Sequence, residues 1–138
     1  MIDNDVDNAI ASLLAASLTA IAGLTIVAGL QDNLPALQTP YLAVYSNIEK
    51  YEGRTHVFTL KTCVEYVSLS GVENKTTVHD TMSAIDAALG TPPTAPILAL
   101  VVTTGLKYLS WEAVERSTQD IGDRRNNKRE FIVFSEPV

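Results

Sequence analysis

Few side chains in this sequence have the types and spacing that chemistry requires. Its histidines are His56 and His79, and neither stands at a zinc-motif spacing from the other or from the lone Cys63. Asp80 follows His79, but neighbouring residues on a helix point in different directions and do not make an acid–base pair. Glu112 and Glu115 could meet other carboxylates only through long-range folding, so a two-carboxylate hydrolase is unsupported. Cys63 lies in a β-type stretch with no base placed to activate it, and reads as a small apolar core residue. The sequence has no Gly-x-Ser-x-Gly elbow, no Gly-rich phosphate loop and no Gly-x-Gly-x-x-Gly fingerprint. The expectation is a protein that is not an enzyme and that takes no metal and no cofactor.

The charged residues are organised differently. Arg124, Arg125, Lys128 and Arg129 put four positive charges within six residues, and Arg116 precedes them. No Lys or Arg occurs before Lys50, whereas Asp3, Asp5, Asp7, Asp32 and Glu49 all do. An acidic start and a basic segment near the end suit head-to-tail contact between copies. Asp3, Asp5, Asp7, Arg116, Arg124, Arg125, Lys128 and Arg129 are therefore the candidate interface residues. The competing reading is a solvated face and a solvated loop. A net charge of −6 and the absence of aromatic residues among the basic ones argue against sequence-specific nucleic-acid binding.

These residues must be carried by a chain of 138 residues, enough for one domain spanning 1–138 with its own core. Val6, Ile10, Leu13, Leu14 and Leu18 recur at helical spacing and predict a helix from Asn4 to Thr19, with Asn4 as N-cap and Gly23 as terminator. Leu24 to Ala28 reads as a short strand, and Tyr41 to Tyr45, led by Pro40, as a second. A polar turn from Glu49 to Arg54 then leads into a long strand from Thr55 to Ser68, which contains His56 and pairs with the second strand as an antiparallel hairpin.

Val78, Met82, Ile85 and Leu89 predict a helix over Thr76 to Leu89, closed by Gly90 and by Pro92 and Pro93. Pro96 to Thr104 suits either a short helix or a buried strand. A closing hairpin runs from Leu106 to Arg116, with Tyr108 and Trp111 as core or interface residues, and from Arg129 to Ser135. Polar Ser117 to Lys128 between them is expected to be an exposed, mobile loop. The fold class is α+β: a mostly antiparallel sheet of about four to five strands against an N-terminal helix and a second helix.

Residues 9–31 carry no charge, which raises a membrane span. The acidic residues before the run, its Ala, Ser and Thr content and Gly23 within it favour two core elements instead, so no membrane partner is expected.

In this order of elements the chain resembles the tail terminator (tail completion) proteins of tailed bacteriophages. The resemblance spans nearly the whole chain. It is carried by the helix Asn4 to Thr19 with Leu24 to Ala28, then Pro40-Tyr41-Leu42-Ala43-Val44-Tyr45, His56 to Tyr66, the helix Thr76 to Leu89 and Arg129-Glu130-Phe131-Ile132-Val133-Phe134. It is a likeness of topology, without a short diagnostic motif, and the apolar stretch Thr91 to Gly105 departs from it. The resemblance implies a virion protein, assembled in the host cytoplasm, that forms a ring (typically a hexamer) at the tail–neck junction. Its partners would be copies of itself, the tail tube protein and a neck or head connector protein. Another neck, head-completion or tube protein, or a cellular domain binding a small ligand or partner, are the alternatives.

Overall fold

The computed structural model describes residues 2–18, 24–29, 40–69, 75–90 and 106–137. Two helices and five strands follow one another as α1 (Ile2–Ser17), β1 (Thr25–Ala28), β2 (Tyr41–Glu52), β3 (Val57–Leu69), α2 (Lys75–Leu89), β4 (Leu106–Ile121) and β5 (Arg124–Pro137). The strands form a sheet in the order β1-β2-β3-β5-β4. Of these pairings β1 with β2 is parallel, and the other three are antiparallel. This is the α+β architecture expected. Gly23, Pro92, Pro93 and the stretch Pro96 to Thr104 lie outside the described residues.

The helical periodicity of α1 turns Val6, Ile10, Leu13 and Leu14 onto the sheet, where all four are buried. The helix begins at Ile2, itself buried, so Asn4 is an exposed first-turn residue and not the N-cap. In α2, Met82, Ile85 and Leu89 join the same core, and Gly90 ends the helix at a φ of 60°, as expected. Both helices cover one face of the sheet. Leu42 and Val44 of β2, Leu60, Val64 and Tyr66 of β3, Phe131 and Val133 of β5 and Trp111 of β4 meet them there. Strand alternation sends Tyr41, Ala43 and Val67 to the other face, where they form a second, smaller cluster.

The strands are longer than their apolar residues announce. β2 continues through Glu52, so the turn occupies residues 53–56 and His56 belongs to it, not to the strand. His56 adopts a φ of 58°, a left-handed conformation that a side chain disfavours. The Tyr51 hydroxyl lies 3.0 Å from His56 Nδ1, and the Tyr51 and Phe58 rings meet at 4.6 Å, tilted by 37°.

The largest correction concerns Ser117 to Lys128. That segment is not a loop: β4 and β5 pair to their tips, from Leu106 opposite Pro137 to Ile121 opposite Arg124. Only Gly122 and Asp123 turn the chain, with Gly122 at a φ of 62°, the sense that a two-residue hairpin turn needs. The β4 ladder shifts register twice, between Leu106 and Tyr108 and between Ala113 and Glu115, where Val114 is the unpaired residue.

Candidate assembly interface

Because the basic cluster lies on a strand, its residues alternate between faces. Arg125 and Arg129 pair with Ser68 and Val64 and point to the helix side, whereas Arg124 and Lys128 pair with Leu69 and Glu65 and point away. The four charges therefore make no single patch.

Each charge also has a local counterpart. On the helix side, Asp86 of α2 receives Arg129 through Nε at 3.0 Å and Nη2 at 3.5 Å, and Arg116 Nη2 approaches the same carboxylate at 3.6 Å. Arg129 keeps 13% of its side chain exposed and Arg116 68%, so the first is structural and the second is presented to solvent. Arg125 donates to Asp120 across the hairpin at 2.9 Å; both are exposed, and this bond holds the Asp120 carboxyl below its ordinary pKa. On the other side, the Arg124 guanidinium stands 5.9 Å above the Tyr41 ring, and Lys128 lies 4.0 Å from Glu130.

A polar network runs beside these cations. Glu65 accepts from Tyr45 Oη at 3.1 Å and from Asn126 Nδ2 at 2.5 Å. Glu130 has Lys61 at 3.7 Å and receives the Cys63 thiol at 3.8 Å. Burial raises the Cys63 pKa, and the Glu130 charge adds to that, which keeps the thiol protonated and unreactive. Trp111 is buried and donates its indole N–H to the Gly90 carbonyl, closing the end of α2 onto β4. Tyr108 lies on β4, with its side chain outside the described set.

The acidic residues divide too. Asp3 and Asp5 are partly exposed on the first turn of α1. Asp7 is not an interface residue: it is 3% exposed and accepts a 2.6 Å hydrogen bond from Ser46 Oγ, which also meets Thr62 Oγ1 at 2.7 Å. Burial pushes the Asp7 pKa up to about 6 against the pull of the Ser46 hydrogen bonds, with a small addition from Asp3. Of the eight candidates, Arg116 and Arg125 are exposed and Asp3 and Asp5 half-buried, one Asp3 carboxylate oxygen being buried, while Asp7 and Arg129 serve the fold. Sequence reasoning missed the acceptors Asp86 and Glu130 that neutralise the basic strand. Asp86 did carry a signal, because it stands beside Ile85 and three residues from Leu89, at the border of the buried stripe.

Arg116 and Arg129 border a groove of about 300 Å³ together with Asp86, Leu89, Val114 and Glu115. Among the described residues, no three His, Cys, Asp or Glu side chains converge as a metal site, and no helix is long and apolar enough to cross a membrane.

No protein-family model matches the sequence, and no curated protein compared with it does so. The fold is similar to that of a chain in the virion of a native gene transfer agent particle. The TM-score is 0.59 at 11% identity, over 95% of this chain and 94% of that one.

Proposed function

We propose that this chain is a structural subunit of a phage-like virion, acting as a tail terminator. In this reading copies form a ring, typically of six, that caps the tail tube and presents its other face to the neck or head connector. The likeness of fold to a virion chain along nearly the full length of both is the observation that carries it. The order of elements resembling tail terminators supports the finer assignment. The chain performs no catalysis in this role; it works by contact. Arg116 and Arg125 on the β4–β5 side, which the protomer leaves exposed, and the half-buried Asp3 and Asp5 on α1 are the proposed contact charges.

Light scattering of the purified protein across concentration, with negative-stain imaging of large species, tests the reading. A discrete ring that binds the end of isolated tail tubes is the expected result. A protein that stays monomeric at every concentration and also in the presence of tubes would overturn it.

A further inference from the structure

Exposed large apolar side chains are few among the described residues: Ile48 at 38%, Tyr51 at 50% and Val114 at 56%. They occupy two separate places. Ile48 and Tyr51 lie at the end of the β2–β3 hairpin, where the Tyr51 ring packs tilted against Phe58 and its hydroxyl meets His56 Nδ1. Val114 is a bulged residue of the edge strand β4, and its groove also borders the exposed Arg116.

We infer that the β2–β3 turn of one copy docks in the β4 groove of a second copy, with the Tyr51 ring between Val114 and the Arg116 guanidinium. This rests on the ring reading above and locates one contact within it. The two surfaces match chemically. The charges of the turn, Glu49 and Glu52 against Lys50 and Arg54, cancel, so what the turn offers is an aromatic face and an aliphatic side chain. The groove offers the exposed apolar side chain of Val114 and the exposed Arg116 guanidinium, 3.6 Å from Asp86. An exposed guanidinium beside an exposed aliphatic side chain suits a tyrosine ring.

The contact cannot form within one copy. Tyr51 pairs with Phe58, Phe58 with Ser135 and Ser135 with Leu109, so three strand spacings, about 14 Å, separate Tyr51 from β4. Val114 lies five residues beyond Leu109, about 17 Å further along the strand. Turn and groove are different surfaces, so their contact is heterologous, and repeating it closes a ring or runs into a filament.

Single-cysteine variants beside the contact test it. Glu52→Cys and Glu115→Cys, which keep Tyr51 and Val114 in place, are oxidised separately and as a mixture, with wild type as the control for buried Cys63 and with light scattering of wild type in parallel. The inference expects disulfide-linked dimers in the mixture and none in either variant alone, and a ladder of oligomers from the double variant. Arg116→Ala, which leaves the fold intact, should weaken self-association about fivefold, and Tyr51→Phe, which keeps the ring, should leave it near wild type. Oligomers without the mixed disulfide would overturn this contact and leave the ring reading standing. A disulfide formed by one variant alone would mean a symmetric contact and overturn it as well. A wild type that neither oligomerises nor cross-links would remove both.

Discussion

Ser46 on β2 and Asp7 on α1, 2.6 Å apart, form the polar join between the N-terminal helix and the sheet. Thr62 on β3 extends the join to a third element. A buried carboxylate with hydroxyl partners and no cation is more comfortable protonated than ionised, which is why its pKa is raised.

That raised pKa has a defined sign. Between about pH 4 and pH 6 the folded chain holds a proton on Asp7 that the unfolded chain has released. The stabilisation is complete below this window and is lost as pH rises through about 6. Asp7→Asn keeps an acceptor for Ser46 and removes the titration. Thermal melts of the two proteins should diverge with rising pH through that window, the variant melting higher near neutrality. Parallel curves would mean that Asp7 does not titrate there.

Asp86 anchors Arg129, which retains little exposure, and draws in Arg116. Asp86→Ala should cost roughly 2 kcal/mol, most of it from the guanidinium left unpaired. Truncating Arg129 as well should return part of the loss. A double-mutant cycle by urea unfolding measures the coupling, and strictly additive losses would exclude it.

Gly122 and Gly53 both face open space, where a methyl group added to either would meet nothing within 4 Å, but only Gly122 has a positive φ. Gly122→Ala should therefore destabilise by about 1 kcal/mol, purely through the backbone. Gly53→Ala should be neutral or slightly stabilising, by a fraction of 1 kcal/mol. Equal effects in chemical denaturation would contradict the assigned turn.

Leu14 is fully buried under α1, so Leu14→Asp should abolish cooperative unfolding. Arg125→Glu loses its bond to Asp120 and sets a like charge opposite it, so circular dichroism should be unchanged and the melt lowered only slightly while assembly weakens. An unfolded Arg125→Glu protein, or a folded Leu14→Asp protein, would show that these side chains have been misplaced.

The helices and the centre of the β2–β3 hairpin are legible in the sequence because their apolar residues carry the period. The strand ends are not. From Val114 to Asp120 β4 is exposed, and an exposed polar strand has the composition of a loop. What remains to read is the pair Gly122-Asp123 between two polar runs, the signature of a two-residue turn. Mistaking strand for loop then misplaces the basic cluster, because alternation divides on a strand what a loop would gather. Asp7 is hard to place for a related reason. It shares the face of Ile10 and Leu14, three and seven residues on, and a carboxylate within an apolar stripe is a core residue that has found partners.

The strand order also fixes how the chain must come together. β2 with β3, and β4 with β5, are neighbours in sequence and can zip locally, on the microsecond scale of hairpins. The seam between them joins Phe58 to Ser135 and Leu69 to Arg124, partners separated by much of the chain. Closing that seam is the step of highest contact order, the kind that slows folding. Until it closes, β3 and β5 each expose a raw edge. Newly synthesised protein is at risk of pairing those edges with another copy in that interval.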